Sequence, residues 1–256
     1  MFRKKGYEIP AASRTARGTN IVNVLQVEQD EKVAVMLHTR DITTEGERYL
    51  TMFTRKGTVK RLNAAALRNL RNNGLRVIVL EDGDELITVK ETDGNMNLLI
   101  ATHDGMAVCF PEENVRSTGR NSMGVIGIRL RDGDYVVGAG RAWPDRTVLT
   151  VTENGYGKRT AVEEYSVHKR GGLGMKNYMV TEKTGKIVGI KVVDGSEDLL
   201  LATQSGTLIR TPVEGIRLAG RATQGVIVMR FKEEGDRVIA MSLAEKESEE
   251  ETREVE

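Results

Sequence analysis

The sequence predicts an all-β fold of repeated four-stranded, propeller-like blades, on three observations. Glycines recur at a near-fixed distance: Gly57, Gly105, Gly155 and Gly206 are 48, 50 and 51 residues apart. A second series, Gly18, Gly74, Gly124, Gly174 and Gly225, is spaced 56, 50, 50 and 51. The text around the first series repeats as well, as YLTMFTRKGTVKRL, NLLIATHDGMAVCF, TVLTVTENGYGKRT and DLLLATQSGTLIRT. Self-similarity at such a period marks one object made of copies of one unit, whose shared core forms when the copies stack. Function is then to be sought in what the copies have in common.

Taken in order, each unit opens on a hairpin. Around Gly57, two short apolar, β-branched runs flank Arg55-Lys56-Gly57, and the glycine supplies the positive φ of the corner. The same reading fits His103-Asp104-Gly105, Glu153-Asn154-Gly155 and Gln204-Ser205-Gly206. A polar loop follows, then a second hairpin: residues 75–80 and 85–89 around Asp82-Gly83-Asp84 are the clearest case. Residues 125–130, 175–180 and 226–231 begin the others. Two hairpins give four strands in about 50 residues, the size of a propeller blade. Apolar spacing alternates by two, which argues against a helical solenoid, and the one helix-like stretch is 64–70. Paired kelch glycines with a recurring Trp, and the Trp-Asp of WD40 blades, are missing. Counting back from Gly18 puts the first turn glycine just before Met1. The chain is therefore expected to start inside a hairpin, as the C-terminal part of something longer, with four complete copies and a truncated first one. Arg3 then aligns with Arg61, Arg159 and Arg210.

Composition narrows the function classes. The chain has 256 residues, only 4% aromatic, so its core must be aliphatic. No apolar run reaches the roughly 18 residues of a membrane span, and no basic-then-apolar leader is visible. Cys109 is the only cysteine, which excludes a disulfide framework and fits a reducing, cytoplasmic setting. Net charge is +1, yet an acidic stretch from Ala244 to Glu256 reads as a solvated tail. That division gives a body at 1–243 and a tail at 244–256; without the tail the body is distinctly basic.

The basic residues fall into columns. Four positions before the second glycine series stand Arg14, Arg120, Arg170 and Arg221, with Leu70 the exception; Arg116 and Arg217 stand eight before. One column in a repeat protein is one place per blade, so these arginines are expected to form an arc around the rim. Such an arc suits a polyanion that curves around the body, each neutralised phosphate releasing counterions. Few aromatic side chains argue against single strands, whose bases stack on them. Duplex DNA, read through its backbone, is the better match.

At this point the residues resemble a known family. Tyr7-Glu8-Ile9-Pro10 with 12–18 (ASRTARG), 151–160 (VTENGYGKRT), and 206–212 with 220–225 (GRATQG) are similar to the C-terminal domain of the A chain of bacterial DNA gyrase, up to about Leu243. The resemblance implies a six-bladed β-pinwheel whose blades exchange strands, of which about five blades are expected here. It implies an outer surface that wraps duplex DNA and directs an ATP-dependent topoisomerase toward negative supercoiling. It also implies two partners, the breakage-reunion part of the same polypeptide and a separate ATPase subunit. Carried onto this sequence, it makes Arg14, Arg17, Arg116, Arg120, Lys169, Arg170, Arg217 and Arg221 the DNA-binding candidates. The family's box, a Gln, two basic residues, Gly-Gly, a basic residue and Gly, belongs to the first blade. His168-Lys169-Arg170-Gly171-Gly172-Leu173-Gly174 is a degenerate copy with His for Gln and Leu for the second basic position.

No catalytic residue, metal or cofactor is expected. His38, His103 and His168 lie in different repeats, and Asp82, Asp84, Asp132 and Asp134 read as turn formers. No phosphate-binding loop of the Gly-x4-Gly-Lys-Ser/Thr type occurs. The alternatives are the corresponding domain of topoisomerase IV and a protein-interaction propeller that binds a partner on its flat face.

Overall fold

In the computed structural model, the described residues are 1–13, 15–27, 31–39, 47–70 and 73–246. Each repeat begins with the expected hairpin. Strands β1 (Tyr49–Thr54) and β2 (Thr58–Asn63) pair antiparallel around Gly57, whose φ is +88°. Its counterparts are β4 (Asn97–Thr102) with β5 (Met106–Pro111) and β8 (Thr147–Thr152) with β9 (Tyr156–Ala161). The last is β12 (Asp198–Thr203) with β13 (Leu208–Pro212). A threonine three before the turn glycine steadies each corner: Thr54, Thr102, Thr152 and Thr203 accept from the amides of residues 58, 106, 156 and 207. A turn of 3-10 helix closes each hairpin, and Ala64–Leu67 is the piece visible in the sequence.

The second hairpin is not a hairpin, which corrects that part of the reading. Its later arm is a full strand on its own sheet: β3 (Leu86–Thr92), β7 (Val136–Arg141), β11 (Ile187–Val193) and β15 (Val238–Ala244). Its earlier arm shrinks to two residues and joins the sheet of the preceding repeat. Thus β6 (Val125–Ile126) pairs with β2, β10 (Met175–Lys176) with β5, and β14 (Val226–Ile227) with β9. The sheets run β3-β1-β2-β6, β7-β4-β5-β10, β11-β8-β9-β14 and the three-stranded β15-β12-β13. They form a propeller-like ring, with β3, β7, β11 and β15 packed side by side on the inside.

Second-series glycines permit the exchange. A Cβ on Gly124 would lie 2.6 Å from the carbonyl oxygen of Val59 on the strand being joined. On Gly174 and Gly225 it would come closer still, to the carbonyl oxygens of Ala107 and Gly157. At the N-terminus the same register recurs. Met1 and Leu75 exchange both backbone hydrogen bonds at 2.9 Å, as Val59 and Val125 are paired two residues after Gly57, and Phe2 covers Gly74. Among the described residues before Tyr49 there is no strand, so the described residues form four sheets where about five blades were expected.

Aliphatic clusters between neighbouring sheets make up the core. Phe53, Leu98, Ile100, Phe110 and Ile128 bridge the first and second; Leu99, Ala107, Val148 and Ile187 the second and third; Leu149, Val193, Leu199 and Met229 the third and fourth. One ion pair lies inside this packing, Arg61 Nη1 to Glu112 Oε1 at 3.2 Å, with Glu112 fully buried. Burial lifts the Glu112 carboxyl above its usual range against the pull of Arg61. Removing one partner of such a pair costs about 3–5 kcal/mol, so Arg61→Met is expected to lower the urea midpoint sharply. A carboxyl whose folded pKa lies above its unfolded value loses its burial penalty as pH falls through that folded pKa. The deficit of Arg61→Met should therefore shrink on acidification; a deficit independent of pH would refute the assignment.

Candidate nucleic-acid interface

Between the 3-10 turn of one repeat and its two-residue exchanged strand, the chain runs along the outer edge of the preceding sheet. Ser117, Val167 and Leu218 bridge in parallel to Arg61, Cys109 and Arg159. The chain then turns and comes back antiparallel as β6, β10 or β14. Each turn sits on the rim, opposite the inner strands, and these turns carry Arg120, Arg170 and Arg221.

Arg116 and Arg217 are exposed, one residue before the parallel bridge. Arg120 is exposed in the turn, and so is Lys169. Arg170 and Arg221 stand at the column position of Arg120 but serve a second purpose. Arg170 donates from Nε to the Asn114 carbonyl at 2.8 Å and from Nη1 to the Ile126 carbonyl at 3.0 Å. Arg221 donates from Nη1 to the Lys176 carbonyl at 2.7 Å, and its backbone amide to Glu164 Oε2 at 3.0 Å. Ile126 and Lys176 end the exchanged strands β6 and β10, so each of these arginines fastens its rim loop to the rim of the repeat before. Two of Arg170's five N–H donors are used in this way. Arg17 is exposed and belongs to no strand of the four sheets, and Arg14 lies outside the described residues.

In the degenerate box the glycines have backbone work. Gly171 (φ +77°) donates its amide to the Gly127 carbonyl at 2.7 Å, and the Gly172 carbonyl accepts from Arg129 at 2.9 Å. His168 and Leu173 are exposed, and Gly174 makes the close approach to Ala107. Lys169 and Arg170 are the two members of the box with charge to offer a ligand.

Two residues that the sequence did not single out underlie the rim. Lys60 and Lys158 stand three residues after their turn glycines, where other repeats have Val108 and Ile209. They are 1% and 0% exposed. Lys60 Nζ donates to the carbonyls of Val77 (2.7 Å), Arg120 (2.9 Å) and Ser122 (2.9 Å). Lys158 Nζ donates to the carbonyls of Gly220 (2.7 Å) and Arg221, and lies 3.4 Å from Thr223 Oγ1. The signal was present as a charge at an otherwise apolar position of the repeat.

Several of the acidic turn residues hold backbone amides. Asp84 Oδ1 accepts from the amides of Lys56 and Glu85, Asp134 Oδ1 from Asp104 and Tyr135, and Asp236 Oδ1 from Ser205 and Arg237. The acidic turns thus tie two corners of a blade together. His103 stacks on Tyr135 with ring centroids 4.4 Å apart. The Cys109 thiol is buried and pushed up to about 11. Between the inner strands lies a cavity of about 240 Å3, lined by apolar and glycine residues with Thr88, Lys90 and Lys191. Lys90 and Lys191 are held below the usual lysine range by burial, and Lys90 also by the neighbouring Lys191 and Arg141.

This geometry coincides with a known sequence family. The family model described as DNA gyrase C-terminal domain, beta-propeller, matches residues 1–39, 48–93, 97–142, 146–194 and 197–245, one segment per repeat. The chain belongs to this family. It is 42% identical over 233 residues to the A chain of DNA gyrase from Staphylococcus epidermidis, covering 90% of this chain and 26% of the relative. The chain thus spans about a quarter of the length of that gyrase polypeptide. Its fold is similar to the crystal structure of a topoisomerase IV C-terminal domain, with TM-score 0.83 and 27% identity over 93% of this chain and 74% of the other. It is also similar to a DNA gyrase A C-terminal domain, with TM-score 0.77 and 25% identity over 89% and 75%. No described helix is long and apolar enough to cross a membrane.

Proposed function

We propose that this chain is the DNA-wrapping domain of a gyrase-type type IIA topoisomerase, binding and bending duplex DNA on its rim without itself performing chemistry. The observation that carries this reading is the return of arginine to one rim loop in successive repeats, at 120, 170 and 221, flanked by Arg116, Lys169 and Arg217. A curved row of cations meets successive phosphates of a bent helix. Bending a 20–30 base-pair site by 40–90° costs on the order of 1–6 kcal/mol, which contacts spread along the arc offset. The cleavage of DNA and the hydrolysis of ATP are assigned to the breakage-reunion part of the same polypeptide and to a separate ATPase subunit. The setting is cytoplasmic.

The test is duplex binding by the full 256-residue chain across a salt series. Four to six phosphate contacts predict a slope of log affinity on log salt of about −3.6 to −5.4. Weak sequence preference should accompany it. A slope near zero would remove the rim from consideration. The topoisomerase IV reading is favoured by the higher TM-score to that domain. Topology measured on relaxed circles separates the two, since a gyrase-type wrap should leave them positively writhed on this domain.

A further inference from the structure

We propose that Lys60 and Lys158 are positioning residues of the rim: each buried ammonium fixes the arginine-bearing loop of the following repeat in its binding shape without touching DNA. The inference rests on the DNA-wrapping reading and extends it to groups beneath the contact surface. Its basis is geometric. A solvated lysine would sit on the surface, whereas these two are fully enclosed and end among carbonyls of residues 120–122 and 220–221. Arg120 and Arg221, the column residues themselves, each give their backbone carbonyl to the ammonium.

An ammonium has three donors, and each lysine faces three oxygen acceptors, so the match is complete only in the charged form. Charge-assisted bonds of this kind are roughly twice as strong as neutral ones. The repeat between them supplies a control within the molecule. There Val108 replaces the lysine, and the rim loop is held by the Gly171 amide, the Gly172 carbonyl and the Arg170 side chain. A clasping arginine occurs in both the 170 and the 221 loops, so what differs beneath them is a glycine pair in the first and a buried charge in the second.

The charged form is under tension at Lys158. Burial pushes its pKa down to about 8, Glu164 pulls it up, and Arg221 pushes it further down; the Tyr178 ring lies 5.0 Å from Nζ. A lysine whose folded pKa is depressed destabilises the fold while it stays charged, so global stability rises as pH climbs from the folded to the unfolded value. Loop order moves the opposite way, because the neutral amine has one donor fewer for the same three oxygens. Opposite trends distinguish a positioning role from a purely structural one.

The experiment uses the full chain, a short fluorescent duplex, and amide exchange at residues 220–225. The wild type should lose affinity roughly tenfold as pH rises through about 8, with the protection factors of that loop, taken against the base-catalysed intrinsic exchange rate, falling over the same range. Lys158→Met should bind about tenfold more weakly near pH 7 and show no step, and Lys60→Met should weaken binding by a similar factor. Thr223→Val, which removes one acceptor and leaves the lysine, should give a smaller loss with the step intact. Wild-type affinity in Lys158→Met, or a step that survives in it, overturns the proposal. Should Lys158→Met not fold, a wild-type profile flat in both affinity and loop protection factor overturns it instead. If the wild type binds no duplex at any pH, the DNA reading falls, and the exchange profile still decides whether the ammonium holds the loop.

Discussion

Replacing Arg116, Arg120 and Arg217 together by Glu will lower duplex affinity roughly 100-fold at physiological salt and flatten the salt slope by about 2.7. The estimate follows from three lost phosphate contacts, each worth about 0.9 in the slope and a little under a decade in affinity at that salt. These three are chosen because they are exposed, unlike the arginines whose guanidinium groups clasp carbonyls of the repeat before. Thermal stability should then change little, since exposed substitutions away from packing typically fall within about ±0.5 kcal/mol. Arg170→Glu and Arg221→Glu are different experiments: each also abandons carbonyls at the joint between repeats, so affinity and melting temperature should fall together. A protein-interaction propeller that uses its flat face predicts no change of DNA binding in the triple variant. Electrophoretic mobility or anisotropy across a salt series separates the outcomes, and unchanged affinity in the triple variant would defeat the rim proposal.

The second large effect is on the fold. Gly174→Val is expected to destabilise the chain by roughly 2–6 kcal/mol, combining the strain of a branched residue at positive φ with overpacking. Gly174 has φ +76° and an added Cβ would meet the Ala107 carbonyl carbon at 2.8 Å and its oxygen closer still. The contact is to backbone, so no side-chain rotation relieves it. Exchange of β10 onto β5 should fail first, seen as lost protection at Met175 and Lys176 before the hairpin β4–β5 opens. Gly133→Val is the matched control, because nothing lies within 4 Å of a Cβ there although its φ is +76°. Equal losses at the two sites would mean that conformational strain, and not the close crossing, sets the cost.

Local chemistry was legible in the sequence, and partnership was not. Turn glycines at 57, 105, 155 and 206 were readable because a hairpin corner needs a positive φ and its neighbours alternate. The inner strand β3 was readable over 85–89, as the arm that follows the Asp82-Gly83-Asp84 turn. The two-residue strands β6, β10 and β14 were not, since Val125-Ile126 looks the same whether it pairs with its own repeat or the previous one. Only the register of a distant strand decides. The arginine column was visible as a column, and its position on one edge followed from the repeat. That Arg170 and Arg221 clasp carbonyls could not be seen, because a carbonyl acceptor leaves no trace in residue type. Lys60 and Lys158 were hidden for a related reason: a buried lysine and a surface lysine are spelled alike, and the apolar residues at 108 and 209 were the one hint. Arg14 and the tail beyond Lys246 fall outside the described residues.

Because β6, β10 and β14 belong to one repeat by covalent chain and to another by hydrogen bonding, the unit that a gene can duplicate is out of phase with the unit that folds. Excising one full period, such as residues 97–146, would bring a new donor strand to β2 in the correct register, since Met175 is the counterpart of Val125 and both follow a glycine. Cutting instead at the borders of a finished sheet would strand half of two neighbours. Array length in this architecture can therefore drift by whole periods through recombination, while any fractional change is lethal to the seam it crosses.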